Sequence, residues 1–516
     1  MSGHGALRNT FYSSVAMYTE FVLGMITSIM IARYLGPEAY GSYSAAIWLV
    51  GLGIAFTNSG TASSAIRFIA ELRGAGHSES GGPLLLRLSR LQRKYLFVVL
   101  LLFAAGLFLS GSRFVPMFDH RWLYGFLAIA IALRSAYMFQ ISIAKGHEDF
   151  RSIAWIMLVT APVNLLLVLA VILLKLPAYW LLIAFLASSM LFYLLSRWRV
   201  RGYLHSNGSP IDAKMVPRIR RQVAYSTMIV SLGFLAASEM EVMLLNAFSH
   251  PDDAGQFKVA HQLATGAASL VPGVFGALLL PMMARALSEG SNAAGECYAS
   301  STTYLTLLAA PLAAFGWALG PSLVQLLYGS SYVESAQLLP LFLTCTCVLA
   351  ATGAGSSLLI SADRQNIVLL VLIGCFFLKL LLGSLLIAKF NLSGAAVSFA
   401  VTSMANAFAT MYMAGKTTHG RLEWPRLRRV LVAGVIAALI VWPLHYWLRP
   451  LPTVLVGSII LAIAYAICTF LFGCWRQGDI DVMRRILNQF PVRGSTIGAR
   501  ILDWAQTRSA REESEA

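Results

Sequence analysis

Long apolar runs separated by short polar segments recur along the whole chain. A transmembrane helix needs about 20 mainly apolar residues, and fourteen runs meet that length. They cover residues 9–33, 39–60, 94–112, 121–144, 153–174, 178–197, 222–247, 257–284, 302–327, 337–361, 366–388, 392–415, 428–448 and 453–475. The pattern therefore predicts an all-α polytopic membrane protein with about fourteen transmembrane helices, numbered spans 1 to 14 below. Span 1 is expected to be a retained helix, because no cleavage-site pattern follows it.

A tight polar turn separates spans 1 and 2. Pro37 cannot continue a helix, and Gly36 and Gly41 permit the backbone angles of a short reversal. The same spacing of proline and glycine follows span 7, where Pro251 and Gly255 repeat Pro37 and Gly41 at a distance of 214 residues. This recurrence indicates an internal duplication. We expect the two turns to approach each other when the protein is open to the inside.

The spans divide into two sets of six and a final pair. Six spans precede the connection at 198–221, and six more precede Lys416. Because six is even, both sets begin on the same side of the membrane, so the two six-helix bundles are expected to be related by a pseudo-two-fold axis along the membrane normal. The predicted domains are residues 1–210, residues 211–420, two additional helices in 421–475 and a cytoplasmic tail in 476–516.

Composition excludes a soluble protein. The chain has 516 residues, of which 58% are hydrophobic and 12% charged, with a mean hydropathy of +0.70. Soluble domains contain about 25% charged residues. The net charge of +16 would favour a nucleic-acid partner on an aqueous surface, but thirty of the 39 Lys and Arg residues lie on the side of the N-terminus and six on the other. This positive-inside bias predicts that both termini are cytoplasmic and that no nucleic acid is bound.

Catalytic and cofactor motifs are absent from the sequence. The glycines around Gly415-Lys416-Thr417 lack the spacing of a phosphate-binding loop, and no metal-ligand or nucleophile motif occurs. The outer loops are too short to form a catalytic domain. We therefore expect a protein that is not an enzyme and carries neither metal nor cofactor. Any transport work must draw on an ion gradient, the substrate gradient or another polypeptide.

Ionisable residues occur at membrane depth. Glu20, Arg134 and Lys379 lie near the middle of their spans, and Glu239 and Glu241 lie in span 7. Because a charge at the bilayer centre costs about 2.5–3.5 kcal/mol on insertion scales, such groups usually face a cavity or a partner. Two interpretations stay open for Glu20 and Arg134. They form a structural ion pair, or both face a cavity.

Span 8 carries a polar stripe. Lys258, His261, Gln262 and Thr265 have the spacing i, i+3, i+4 and i+7, which places them on one face of a helix. This face is a candidate cavity lining. The alternatives are that Lys258 extends to the outer interface and that His261 is a hydrogen-bonded packing residue.

The first turn carries a family resemblance. Ala32-Arg-Tyr-Leu-Gly-Pro-Glu-Ala-Tyr-Gly-Ser-Tyr43, Asn58-Ser-Gly60 and Ser64-Ala-Ile-Arg-Phe-Ile-Ala-Glu-Leu-Arg73 resemble segments of the Wzx-type polysaccharide and lipid-linked oligosaccharide flippases of the MOP exporter superfamily. The resemblance implies alternating access between two bundles in the bacterial inner membrane. The implied substrate is a polyprenyl-diphosphate-linked oligosaccharide, moved from the cytoplasmic to the outer leaflet. The implied partners are this lipid-linked substrate, membrane lipids, and polysaccharide polymerase and export machinery.

Depth and charge assign hypothetical roles within this framework. Six residues are expected to bind substrate, with Arg67 at the cytoplasmic entrance: Arg67, Arg134, Lys258, His261, Gln262 and Lys379. Glu20 and Glu239 are the candidates for ion coupling. A groove beside spans 13 and 14 is expected to hold the lipid tail. Two other functions stay open, a cation-coupled multidrug antiporter of the same superfamily and a scaffold in an export complex.

Overall fold

The computed structural model describes residues 3–74, 81–110, 122–204, 215–271, 273–418, 422–476 and 479. All the regular secondary structure in these ranges is helical. The α-helices are α1 (Gly3–Gly74), α2 (Gly81–Ser110), α3 (Trp122–Gly146), α4 (Phe150–Leu173), α5 (Tyr179–Val200), α6 (Met215–Ala237), α7 (Met240–Phe248), α8 (Pro251–Ala268), α9 (Gly273–Glu289), α10 (Ser291–Tyr328), α11 (Val333–Ala351), α12 (Gly353–Ser361), α13 (Gln365–Thr418), α14 (Trp424–Val441), α15 (Leu444–Trp447) and α16 (Pro450–Leu471).

The predicted all-α polytopic fold is confirmed. Within the described ranges, nine helices are long and apolar enough to cross a membrane, and the bent pair α6 and α7 would make a tenth. Two of the nine, α1 and α13, each contain two predicted spans. Each of the fourteen predicted runs overlaps one of the helices or helix pairs.

Kinks divide the two longest helices at residues with positive φ. In α1 the kink is at Gly36, where φ is 72°, and Pro37 follows it. In α13 it is at Asn391, where φ is 50°. Glycine adopts a positive φ without steric cost, whereas Asn391, with a ψ of −127°, lies outside the left-handed helical region that asparagine tolerates. The first kink coincides with the turn predicted from the sequence, whereas the second has no glycine or proline to mark it.

The chain forms two compact units. Unit 1 contains Met1–Lys258 and Phe376–Ala395, and unit 2 contains Val259–Cys375 and Ala396–Ala516. The division predicted at residues 210 and 420 stays a prediction.

Each unit has its own hydrophobic core. In unit 1, one buried cluster includes Phe68, Leu88 and Ile143, and a second includes Val50 and Leu127. These clusters pack α1 against α2, α3 and their neighbours. In unit 2, small and branched residues of α10, α14 and α16 form the core. There the hydroxyl of Tyr465 donates to the carbonyl oxygen of Leu307 at 2.8 Å, which ties α16 to α10.

The start of the tail is anchored to α14. Arg426 pairs with Glu423 at 3.2 Å and with Asp479 at 3.4 Å, and it donates to the carbonyl of Cys474 at 2.7 Å. Apart from Arg476 and Asp479, the tail predicted over 476–516 lies outside the described residues.

Candidate functional site

Span 7 is broken at membrane depth. Helix α6 ends at Ala237, α7 begins at Met240, and the two are bent by 56°. No proline or glycine occupies the break, so a side chain inserted into the hydrogen-bond ladder accounts for it. That side chain is Lys379 of α13. Its ammonium donates to the carbonyl oxygens of Ala236 at 3.3 Å and Ser238 at 2.6 Å.

Lys379 also forms a buried ion pair with Glu241. Lys379 Nζ lies 3.1 Å from Glu241 Oε2, and the two side chains are 2% and 0% exposed. An ammonium group has three N–H donors. The two carbonyls and the carboxylate can use all three. The charge that the sequence places in mid-membrane is therefore compensated within unit 1.

A second ion pair lies beside the first. Lys258 of α8 pairs with Glu239, which occupies the break itself, and both side chains are about one-fifth exposed. The indole N–H of Trp48 donates to the hydroxyl of Ser238 at 3.0 Å. The break is thus held by side chains from spans 2, 8 and 11, all within unit 1. The two acids of span 7 each bind a different lysine.

These contacts locate two of the predicted substrate-binding residues. The structure brings Lys258 and Lys379 to one broken helix, each against a carboxylate. An anion or sugar contact by either lysine would require those bonds to be exchanged. Their predicted substrate roles stay predictions, as does the ion-coupling role of Glu239.

Arg134 has a different environment. Its Nε donates to Ser189 Oγ at 3.0 Å, and its guanidinium lies 5.0 Å from the ring centroid of Phe185 and 4.4 Å from that of Phe192. Within the described residues Arg134 makes no ion pair with Glu20, which is exposed. The sequence offered a signal for this arrangement, because Phe185, Ser189 and Phe192 share one face of span 6 at spacing i, i+4 and i+7.

Arg67 lies at the far end of span 2. Its guanidinium is exposed and donates to Gln222 Oε1 at 2.8 Å. Beside it, Arg218 pairs with Glu71 at 2.6 Å. Both guanidinium groups lie within 6 Å of the ring centroid of Phe68, at 5.9 and 5.7 Å. No sequence motif links Gln222, Glu71 or Arg218 to Arg67, so these three residues could not be predicted from the sequence.

His261 and Gln262 belong to unit 2. Helix α8 is continuous from Pro251 to Ala268, so the predicted stripe has helical spacing. His261 is 3% exposed and meets the ring of Phe399 edge to face at 5.2 Å. The packing interpretation of His261, its substrate role and that of Gln262 all stay predictions.

The two duplicated turns are in contact within unit 1. A Cβ added to Gly41 would lie 1.9 Å from the carbonyl oxygen of Pro251, and one added to Gly255 would lie 2.0 Å from that of Pro37. The amide of Asn246 also donates to the carbonyl of Gly41 at 3.3 Å. Only glycine permits this backbone approach. Each copy of the turn therefore packs its glycine on the proline of the other copy.

Two apolar grooves lie at the level of the spans. One, in unit 2, has a volume of about 470 Å³ and is lined by α10, α11 and α14, including Ala313, Gly434 and Val435. The other, in unit 1, has about 610 Å³ and is lined largely by spans 2 and 3, including Trp48 and Leu102. The first groove borders span 13, beside which we expect a lipid tail.

Comparison with known proteins identifies the family. The family described as polysaccharide biosynthesis protein matches residues 6–287, which is more than half of the chain. The chain belongs to the polysaccharide biosynthesis protein family. No curated protein matches the sequence of this family member.

Solved structures show the fold that this polysaccharide biosynthesis family member adopts. The lipid II flippase MurJ in an inward closed conformation aligns with a TM-score of 0.71 at 10% identity, covering 89% of this chain and 98% of MurJ. An inward-facing multidrug resistance MATE family transporter of the MOP superfamily gives 0.61 at 16% identity, covering 79% and 98%. A MOP superfamily transporter from Pyrococcus furiosus gives 0.53 at 14% identity, covering 80% and 95%. The chain therefore shares the fold of MurJ and of MOP superfamily transporters, as the sequence predicts, and its long apolar helices are those of a multi-pass membrane protein.

Proposed function

We propose that this protein moves a polyprenyl-diphosphate-linked oligosaccharide, a repeat unit of a surface polysaccharide, from the cytoplasmic to the outer leaflet of the bacterial inner membrane. In this proposal both termini are cytoplasmic, the protein is not an enzyme, and polymerase and export machinery use its product. The match to polysaccharide biosynthesis proteins over residues 6–287 carries the proposal, because it includes both turns and the ion-pair residues of span 7.

A sugar diphosphate needs hydrogen-bond donors to leave water. Moving unpaired polar groups into hydrocarbon costs several kcal/mol each, roughly 2–7 depending on the reference state. Arg134 is the best-placed donor of the predicted set. Its Nε is used by Ser189, which leaves the four N–H groups of its two terminal nitrogens for phosphoryl oxygens. Lys379, by contrast, donates to two backbone carbonyl oxygens and is paired with the carboxylate of Glu241.

The lipid tail requires an apolar surface at the level of the membrane-spanning helices. The groove lined by α10, α11 and α14 offers small side chains such as Ala310, Ala314 and Ala438, between which an isoprenoid chain can lie. This groove supports the expectation of a tail site beside span 13. The sugar and diphosphate would travel through polar surroundings while the tail stays among apolar groups.

Ion coupling falls most naturally to Glu20. Its side chain is exposed, whereas Glu239 is already paired with Lys258. A carboxylate without a fixed partner can bind and release a proton or sodium ion as the cavity changes its access. The contact between Gly41 and Pro251 supplies the element that closes the outer side in alternating access.

A cation-coupled multidrug antiporter is the second candidate function. The observation that favours it is the similarity of fold to the MATE family transporter. A deletion strain distinguishes the two functions. Loss of surface polysaccharide with lipid-linked repeat units retained in the cytoplasmic leaflet supports the flippase. Normal polysaccharide together with increased sensitivity to cationic dyes supports the antiporter and contradicts the flippase.

A further inference from the structure

A basic cavity lies on unit 1, apart from the residues discussed above. It has a volume of about 840 Å³ and is formed by the start of α1, the start of α4 and the end of α5. Its lining combines aromatic, aliphatic and charged side chains: Phe11, Tyr12, Val15, Asp149, Arg151, Ser152, Ala154, Trp155, Leu158 and Arg199.

Two arginines in this cavity have no acidic partner among the residues that the structure describes. Neither Arg151 nor Arg199 forms an ion pair with any described residue. Arg199 instead stacks on Trp155 and Trp198, with its guanidinium 4.4 and 4.8 Å from the ring centroids. Within the described part of the chain, the cavity therefore presents two positive charges that form no ion pair with a carboxylate.

The acid in the same cavity is occupied elsewhere. Asp149 caps α4 by accepting the backbone N–H of Ser152 at 3.1 Å. Its other carboxylate oxygen accepts the hydroxyl of Tyr203 at 3.2 Å. Asp149 is thus fixed to the protein by both oxygens, and the arginines stay available to an external anion.

The predicted span limits place the cavity at one boundary of the membrane. Predicted spans 1 and 5 begin at residues 9 and 153, and predicted span 6 ends at residue 197. Trp155 and Trp198 match the aromatic belt found at headgroup level. Towards the bilayer the lining becomes apolar at Val15 and Leu158, and Leu158 is 49% exposed. A soluble anion would gain nothing from that apolar part.

We infer that this cavity binds the headgroup phosphate of an anionic phospholipid of the cytoplasmic leaflet. Arg151 and Arg199 contact the phosphate, since arginine hydrogen-bonds phosphate oxygens in a bidentate geometry. Leu158 and Val15 contact the first carbons of the acyl chains. The inference depends on the membrane location of the chain and is independent of the transported substrate.

Binding of lipids to the purified full-length protein tests this inference. Native mass spectrometry is used to titrate phosphatidylglycerol and diacylglycerol of equal chain length against wild type and Arg151→Gln/Arg199→Gln. The double variant should weaken phosphatidylglycerol binding by about tenfold, since two charge-assisted contacts are lost, and should leave binding of diacylglycerol, which has no phosphate, unchanged. The matched control is Arg197→Gln, because Arg197 lies on the same helix but donates to Tyr193 at 2.7 Å, outside the cavity.

A second variant separates lipid binding from folding and from binding of a free anion. Leu158→Trp keeps both arginines and fills the apolar part of the cavity, so it should weaken phosphatidylglycerol binding while the protein stays folded. Competition by glycerol 1-phosphate at the concentration of the lipid would overturn the inference in favour of a soluble anion. Equal binding of phosphatidylglycerol by wild type and Arg151→Gln/Arg199→Gln would also overturn it.

Discussion

Gly41 rests against the carbonyl oxygen of Pro251, and the equivalent residues of the second copy, Gly255 and Pro37, repeat the contact in the opposite direction. A Cβ at either glycine would come within 2.0 Å of the facing carbonyl oxygen. A reciprocal contact of this kind is expected when two similar turns pack around a local two-fold axis. The duplication stays a prediction, and the contact depends on the absence of side chains at both glycines.

Alanine at either glycine should weaken this closure. Gly41→Ala and Gly255→Ala each force the two turns apart, at a cost of about 1–3 kcal/mol typical of overpacking. We expect transport to fall by about tenfold or more, as that energy implies. The measurement is transport activity at matched protein levels.

Gly24→Ala is the matched control for the turn variants. A Cβ at Gly24 on the same helix meets nothing within 4 Å, so this variant should behave as wild type. Transport by Gly41→Ala equal to that of Gly24→Ala would contradict the closure role.

The buried pair of Glu241 and Lys379 should show strong coupling. Glu241→Gln and Lys379→Met each leave an uncompensated charge, and breaking a buried pair costs about 3–5 kcal/mol. The double variant should recover much of that loss. The remainder should reflect the two hydrogen bonds from Lys379 to the carbonyls of Ala236 and Ser238. Unfolding of the purified protein in denaturant measures the four stabilities.

Lys389→Met is the control for this cycle, because Lys389 is exposed on the same segment of α13. It should leave stability unchanged. A double variant whose loss equals the sum of the two single losses would show that the pair does not act as a unit.

The sequence predicts the architecture well because the bilayer restricts it. Apolar length alone marks the spans, and Gly36-Pro37 marks the kink of α1 through its chemistry. The break in span 7 could not be predicted, since Ala236 to Met240 contains neither proline nor glycine. Its cause is Lys379, which lies about 140 residues away in sequence.

The sequence predicts which charged residues belong to the candidate site, but it does not predict which of them form ion pairs with each other. The sequence shows which charges lie at membrane depth, whereas helix rotation decides which of them meet. Glu241 therefore binds Lys379 and Glu239 binds Lys258, although sequence spacing alone allowed either arrangement. For Arg134 the sequence allowed an ion pair with Glu20, and the two residues do not form one in the structure.

Replacing Arg134 by lysine should distinguish the effect of its positive charge on transport from the effect of its planar guanidinium group. Arg134→Lys keeps the positive charge but loses the planar fork that binds phosphoryl oxygens bidentately and stacks between Phe185 and Phe192. We expect transport to fall by about tenfold or more, with protein levels unchanged. Arg87→Lys, at an exposed position of α2, serves as the control. Full activity of Arg134→Lys would exclude a bidentate role.

His147 should make stability depend on pH. It lies between α3 and α4, stacked on Tyr203 at 4.1 Å, where burial and then the charge of Arg73 lower its pKa below the ordinary 6.5, against the opposing effect of Asp149. A histidine with a lowered pKa favours the folded state while it is neutral. The contribution of neutral His147 to stability should therefore be fully present above about pH 6.5. It should be lost as the pH falls through the lowered pKa of His147 in the folded protein.

Melting temperatures between pH 7.5 and 5 measure this effect. His147→Phe keeps the stack on Tyr203 and should flatten the decline, whereas His445→Phe, at an exposed position, should not. An identical pH profile for wild type and His147→Phe would assign the decline to other groups.

Direct observation of substrate movement tests the proposed function most sharply. Purified protein is reconstituted in liposomes that carry a polyprenyl-diphosphate-linked oligosaccharide in the inner leaflet, and a lectin added outside reports the sugars that reach the outer leaflet. We expect a protein-dependent rise in lectin binding that Arg134→Lys slows and Gly24→Ala does not. Lectin binding no faster than in empty liposomes, with efflux of a cationic dye under an ion gradient, would contradict it.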